Sequence, residues 1–264
     1  MNADTGYVLD NQHADAQVRF DALAAVHNLS TFRHIEALGI AKGWECWEVG
    51  AGAPSVPTWL SEQVGPTGRV LATDIDLFRL GSDEPLPYEV QQHDITSDPA
   101  PTGTFDLIHI RFVLMHVQQR SEAIRTMVQA LRPGGWLLVE DSDFMLQPLI
   151  CPEDDGPEQQ LANALRRSVH ALLTRSGADL RFGRALPRLL RESGLGDVQS
   201  EGHLQMVSPA SGALERESVA QLRDRLVAGG YATKEMIDRH LANLAAHSFD
   251  VAIPPTISAW GKRL

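Results

Sequence analysis

Cysteine is nearly absent from this chain, with only Cys46 and Cys151 among 264 residues. The two make no metal-ligand spacing and no disulfide framework, so both are expected as buried or idle thiols. Long hydrophobic runs are missing too. Hydrophobic residues make up 43% of the chain, yet no stretch reaches the uncharged apolar length that a membrane span requires. The opening, MNADTGYVLDNQHADAQ, has neither a basic start nor an apolar stretch, so no signal peptide is read and a cytoplasmic protein is expected. Positive charge is in deficit, 23 Lys and Arg against 34 Asp and Glu, for a formal charge of −11. That average field repels DNA and RNA unless a local basic patch overrides it. Arg166, Arg167, Arg175, Arg181 and Arg184 are the nearest such cluster, but they are spread over helical sequence without interleaved aromatics and read as a solvated helix face. Neither nucleic acid nor membrane is expected as a partner, and a homo-oligomer is left open.

The length allows one sizeable α/β core with an elaborated cap, and the expectation is a single domain over residues 1–264. Its parts would be an N-terminal helical cap (1–43), a core (44–143), and helical lid insertions with closing strands (144–264). From Ala16 to Leu38 apolar residues recur at helical spacing through Phe20, Leu23, Val26, Leu29, Phe32, Ile35 and Leu38. Strands are predicted over 45–49, 69–73, 89–93, 105–109 and 135–140, with helices over 58–64 and 121–131. Such alternation predicts a parallel sheet covered on both faces. The connection DLFRLGSDEPLPY after Ile75 is broken by Gly81, Pro85 and Pro87, which argues against a full crossover helix there. Beyond Asp143 the pattern predicts helices over 157–176 and 184–193, a strand near 197–207, a helical insertion over 215–246 and a closing strand over 256–261.

The most informative segment is WEVGAGAPSVPTWLSEQVGPTGRVLATDID, from Trp47 to Asp76: a strand closing on Glu48, a glycine-broken turn, a helix, then a strand ending in Asp74. A glycine turn lets a ligand approach the backbone where a Cβ would collide, and a carboxylate after the next strand can accept both ribose hydroxyl protons. An adenosine-bearing cofactor is therefore expected. Glu48-x-Gly50-x-Gly52, Asp74, Asp94 after the third strand, and Leu131-Arg132-Pro133-Gly134-Gly135 before the fifth resemble the motifs of class I S-adenosylmethionine-dependent methyltransferases. The likeness runs from about Tyr7 to Asp143, and the ending SAWGKRL is similar to that of bacterial small-molecule members.

The resemblance implies a Rossmann-like seven-stranded, mostly parallel sheet with an antiparallel last strand, helices on both faces and a helical lid. It also implies S-adenosylmethionine over the ends of the first four strands. Gly50 and Gly52 would pass close to the ribose and methionine portions, Glu48 would support that loop and the ligand's ammonium, and Asp74, with Asp76, would take the ribose hydroxyls. Asp94 would accept from the adenine amine while Ile95 packs on the ring. Arg111, just past the fourth strand, would touch the methionine carboxylate or serve as a surface ion-pair partner. Tyr7 and Arg19 resemble an N-terminal pair that closes over the cofactor. One departure concerns the turn: family members usually carry a third glycine where this chain has Pro54, which offers no N–H, although Ser55 would be able to cap a helix beginning at Val56.

Methyl transfer from a sulfonium needs chiefly an acceptor held in line, and a base only where the acceptor must lose a proton early. His116 is the first candidate for such a base, with simple packing as its alternative. Asp141 and Asp143 end the fifth strand, where they would orient an acceptor hydroxyl or amine or else cap the next segment. No histidine or further acid completes a metal site beside them. Phe144, Met145 and Leu146 are read as core contacts or as the lining of an apolar pocket. The expected activity is methyl transfer to oxygen or nitrogen of a small metabolite in specialised biosynthesis. A non-methylating cyclase-like enzyme on the same fold and a non-catalytic nucleoside-binding protein are the alternatives. A nicotinamide dehydrogenase is weaker, since its fingerprint wants glycine where this chain has Ser55.

Overall fold

A computed structural model describes residues 16–80, 85–206 and 208–264. Seven strands form one sheet: β1 (Glu45–Val49), β2 (Arg69–Asp74), β3 (Glu89–Gln92), β4 (Phe105–Arg111), β5 (Leu131–Ser142), β6 (Leu195–His203) and β7 (Thr256–Arg263), in the spatial order β3-β2-β1-β4-β5-β7-β6. The pairings from β3 across to β5 are parallel. Near the start of β7, Ser258 meets Glu140 near the end of β5, while Arg263 at the end of β7 reaches Leu131 at the start of β5. β7 is therefore antiparallel to β5, and the sheet is of the expected Rossmann-like, mostly parallel class.

Seven helices accompany it among the described residues: α1 (Ala16–Ala37), α2 (Ser55–Val64), α3 (Arg120–Ala130), α4 (Pro157–Arg175), α5 (Leu186–Glu192), α6 (Pro209–Ala228) and α7 (Lys234–Ala245). The chain resolves into two compact units built from interleaved segments. Of the described residues, those within 28–141, 182–202 and 257–264 form one, and those within 16–27, 142–181 and 203–256 form the other.

In the unit that holds most of the sheet, alternate residues of each strand supply one core. Cys46, Val70, Ala72, Leu107 and Leu138 pack with Ile35 of α1 and with Val56, Leu60 and Val64 of α2. Phe32 of α1 stacks on Trp59 of α2 with ring centroids 4.2 Å apart. Leu29, part of the apolar series along α1, is instead 82% exposed. Out of step with that face, Trp47 is fully buried and donates its indole N–H to Thr73 Oγ1 at 2.9 Å. Gly135 has a packing reason: a Cβ there would stand 2.8 Å from the Phe105 carbonyl oxygen, so only glycine lets β5 come alongside β4 at that point. No helix forms in the described part of the β2–β3 connection, as its Gly and Pro content predicts.

In the other unit α4, α6 and α7 pack on one another. The helical insertion begins earlier than its periodicity predicts because Ser208 caps α6, accepting from Ser211 N–H, with Pro209 in the first turn. Gly229 and Gly230 then end α6, and Thr233 caps α7. Arg166 corrects the expectation of a solvated basic face: it is 5% exposed and pairs with the buried Glu215 at 2.7 Å. His240 Nε2 lies 3.4 Å from the same carboxylate. Burial opposes the charge of Glu215, but Arg166 and His240 outweigh it and bring its pKa down to about 2. Both cysteines are buried free thiols.

Candidate functional site

β1 stops at Val49 and the chain turns through Gly50-Ala51-Gly52-Ala53 into α2. Both glycines are left-handed, with φ of +63° and +60°. At Gly50 a Cβ would stand 2.4 Å from Val113 Cγ2, so packing against the turn after β4 excludes a side chain as firmly as the backbone does. Pro54 sits without strain at φ −73° and ψ −10°, and its carbonyl accepts from Thr58 N–H. α2 starts at Ser55 itself and has no side-chain cap, which corrects the expected capping by Ser55.

The amides of this turn are already engaged. Ala51 N–H donates to the Thr73 carbonyl at 3.0 Å, Gly52 N–H to Asp74 Oδ2 at 2.9 Å and Ala53 N–H to the Ala51 carbonyl at 2.5 Å. Pro54 has none to offer. These three amides thus bond to the turn's own protein, and beside them stand carboxylates. Asp74 is buried; its Oδ1 also accepts Asp76 N–H at 3.0 Å. Burial raises the Asp74 pKa against the pull of these backbone donors. Each carboxylate oxygen can accept twice, so Asp74 keeps acceptor capacity.

β3 brings the next predicted element alongside. His93 N–H donates to the Asp74 carbonyl at 2.9 Å, which sets Asp94 and the buried Ile95 next to Asp74. Asp94 forms an Asx turn in which Oδ1 accepts from Thr96 N–H at 2.8 Å and Thr96 Oγ1 at 2.6 Å. Burial acts against its charge, but these Thr96 and Ser97 contacts leave its pKa lowered. Asp76 Oδ1 accepts from Phe78 N–H, and Ile75 and Phe78 are exposed beside the two aspartates.

Beneath the turn lies an arrangement that motif reading missed. Glu48 is 2% exposed and its Oε2 lies 2.6 Å from His109 Nδ1, on the residue paired with it in β4. The other ring nitrogen of His109 lies 3.2 Å from Glu140 Oε2 on β5. Glu140 is in turn bonded by Thr31 of α1, and by Ser258 of β7 at 2.5 Å. Two residues beyond His109 on the same face, Arg111 donates to Thr31 Oγ1 at 2.7 Å and Asn28 Oδ1 at 2.9 Å. Burial disfavours an imidazolium at His109, yet Glu48 and Glu140 outweigh it and raise its pKa to about 9. Glu140 is held well below the usual carboxylate range: burial opposes its charge, and His109, His34 and Arg111 overcome that. Burial lowers the Arg111 pKa. Two carboxylates, one imidazolium and one guanidinium balance to zero, which is what lets so many charges sit inside. The sequence signal was there: Glu, His and Glu interrupt otherwise apolar strands.

At the far rim, Phe112 adopts a left-handed φ of +58° immediately after Arg111, and the chain then makes a short helical turn carrying His116. Asp141 is fully buried and its Oδ2 accepts Met115 N–H at 3.0 Å, so it pins the turn on which His116 stands. In the other unit, Arg19 is buried with its guanidinium 4.6 Å from the Phe20 ring centroid. Asp143 caps its own segment by accepting Met145 N–H. Met145 and Leu146 are exposed at 37% and 53%, which corrects their expectation as core contacts. Tyr7 lies outside the described residues.

Residues 47–139 match a family model described as a methyltransferase domain. Over 122 residues, 43% of the chain, it is 34% identical to the ubiquinone/menaquinone biosynthesis C-methyltransferase UbiE of Pseudomonas aeruginosa, covering 48% of that protein. Over 256 residues, 94% of the chain, it is 25% identical to an uncharacterized 37.1 kDa protein in transposon Tn4556 of Streptomyces fradiae, covering 72% of it. Among solved structures, a protein from an antibiotic biosynthesis pathway of Anabaena variabilis, described as a methyltransferase, superposes with a TM-score of 0.60 at 15% identity, over 88% of this chain and 96% of that one. A Haemonchus contortus phosphoethanolamine N-methyltransferase 2, solved with phosphomonomethylethanolamine and S-adenosylhomocysteine, gives 0.55 at 14% identity, over 89% of this chain and 53% of that one. These superpositions concern the fold. The match to the curated C-methyltransferase spans about half of that protein's length.

Proposed function

We propose that this chain, whose residues 47–139 match a methyltransferase domain, transfers the methyl group of S-adenosylmethionine to an oxygen or nitrogen of a small metabolite in specialised biosynthesis. The observation that carries this reading is the coupling of the Gly50–Gly52 turn to Asp74, with the His93–Asp94 step bonded alongside. The donor's ribose hydroxyls and methionine ammonium are hydrogen-bond donors. The residues gathered here are acceptors: Asp74 with capacity on both oxygens, and Glu48, whose Oε1 has no partner among the described residues. The charge and hydrogen-bonding sense therefore fit the group.

When bound, that group supplies a sulfonium-activated methyl. The residues of this chain bind and orient. Asp74 and Asp76 would take the ribose, the Gly50–Gly52 backbone would pass beside the ribose and methionine portions, Asp94 and Ile95 would meet the adenine, and Glu48 would take the ammonium. Arg111, though engaged with Thr31 and Asn28, carries further N–H donors for the methionine carboxylate. His116 receives the acceptor's proton where one must be lost, on a turn that Asp141 holds in place. The identity to a C-methyltransferase lies within less than half of the chain and so bears on the donor more than on the acceptor atom.

Titration calorimetry with S-adenosylmethionine and S-adenosylhomocysteine tests the reading. Both should bind, and Asp74→Ala should weaken both roughly 10-fold or more by removing charge-assisted hydrogen bonds. A turn whose Ala51, Gly52 and Ala53 amides bond to the protein and whose Pro54 has none also suits a second reading, a methyltransferase fold that shapes a substrate without transferring methyl. Absence of binding of both ligands at millimolar concentration would select that one. Radiolabel transfer from the donor to panels of hydroxyl, amine and activated-carbon acceptors then assigns the atom, and labelling of the carbon panel alone would overturn the oxygen-or-nitrogen proposal.

A further inference from the structure

Glu48 needs something to hold it. It is a carboxylate on a buried strand face, two residues before a turn whose amides from Ala51 to Ala53 are bonded elsewhere. Without a fixed partner, an acidic side chain there would lose orientation or turn toward the nearest donor. His109 is that partner: it is fully buried, lies directly across the β1–β4 pairing, and touches Glu48 through Nδ1 and Glu140 through Nε2. Glu140 is itself fixed from two further elements, by Thr31 of α1 and Ser258 of β7. The imidazole is thus clamped at both ends and has one orientation. Because Oε2 of Glu48 is tied to it, Oε1 is the oxygen left for another cation.

We propose that His109 is a positioning residue for the amino-acid end of the cofactor: it fixes the rotamer of Glu48 so that one carboxylate oxygen faces the ligand's α-ammonium, and Glu140, Thr31 and Ser258 form the brace behind it. The inference rests on the reading of this turn as the adenosylmethionine site. Its specific consequence is selectivity within the ligand. The ribose and adenine are met by Asp74, Asp94 and Ile95, none of which touches His109, so disturbing His109 weakens only ligands that carry the amino-acid tail.

The test compares S-adenosylhomocysteine, which has the tail, with 5′-methylthioadenosine, which lacks it, by calorimetry on the full chain and on His109→Gln. The expected result is a roughly 10- to 100-fold loss of affinity for S-adenosylhomocysteine, the range for a lost charge-assisted contact, with 5′-methylthioadenosine within about twofold of the parent. Equal loss for both ligands, or loss for neither, overturns the inference while the donor assignment stands. If the parent binds neither, the donor assignment falls and the inference with it. Should the variant fail to fold, ¹⁵N imidazole shifts of the unmodified protein give the same decision. The His109 Nδ1 resonance should move on adding S-adenosylhomocysteine and stay still with 5′-methylthioadenosine; the same response to both ligands overturns it.

Discussion

Replacing Gly50 by alanine probes two physical effects at once, and the structure allows them to be separated. The first is conformational. At φ +63° an L side chain costs roughly 1 kcal/mol relative to glycine. The second is steric: the new Cβ would stand 2.4 Å from Val113 Cγ2, where carbon atoms prefer about 3.5–4.0 Å. Relieving that overlap must move the turn after β4 or distort the glycine turn, a typical overpacking cost of about 1–3 kcal/mol. Gly50→Ala should therefore destabilise the protein by about 2–4 kcal/mol, roughly 4–15 °C in melting temperature for a chain of this size. The overlap involves one methyl group, so Val113→Ala removes its partner. In that background the penalty for Gly50→Ala should fall to about 1 kcal/mol, leaving a coupling of about 1–3 kcal/mol in the double-mutant cycle. Urea unfolding of the four proteins measures it. An equal penalty in both backgrounds would refute the packing explanation for this glycine, and no penalty in either would refute the conformational one too.

The charge ladder should show in the alkaline limb of stability. Folding raises the His109 pKa from 6.5 to about 9, so its contribution is complete below pH 6.5 and is lost as pH rises through 9. That shift corresponds to about 3 kcal/mol at most. Unfolding free energies of the parent minus those of His109→Gln should shrink over this window, and a difference independent of pH would count against an imidazolium between Glu48 and Glu140. In the helical unit, Arg166→Met strands the buried Glu215 and should cost about 3–5 kcal/mol, while Arg166→Met with Glu215→Leu should recover most of it. Denaturant midpoints decide this, and a double variant no more stable than the single would show that the pair is not the source of the loss.

The core was legible because two periodicities alternate cleanly there. The strands that begin at Arg69 and Phe105 carry dense apolar stretches, the shorter strand at Glu45 is mostly buried and β3 is a polar edge strand, and a parallel sheet with connecting helices follows from the alternation of strands and helices. Boundaries slipped where local chemistry decides them. α2 starts at Ser55 because Pro54 is already helical, and α6 starts at Pro209 because Ser208 caps it, neither of which hydrophobic spacing records. Arg166 was misread for a related reason: on a helix, charge reads as solvent-facing unless the partner is known, and Glu215 lies 49 residues away on a different helix.

At the site, the resemblance grouped Gly50, Gly52, Asp74 and Asp94, and each sits at or just past the end of a strand in the observed sheet. It gave no access to where the hydrogen bonds go. That Gly52 N–H is spent on Asp74, that Asp141 holds the turn of His116, and that Glu48 leans on His109 are consequences of register, which places Glu48 opposite His109 and Arg111 opposite Glu140. A single-strand pattern carries no register. Yet β1, β4 and β5 each break their apolar run with ionisable residues near the C-terminal end, Glu48, His109 with Arg111, and Glu140 with Asp141, and in a parallel sheet those ends lie side by side. An acidic, a basic and an acidic residue near the same end of successive buried strands therefore point to one another, with Glu140 two residues beyond the level of Glu48 and His109. Isolated, each would face the several-kcal/mol penalty of a buried charge, and pairing is the arrangement that removes it.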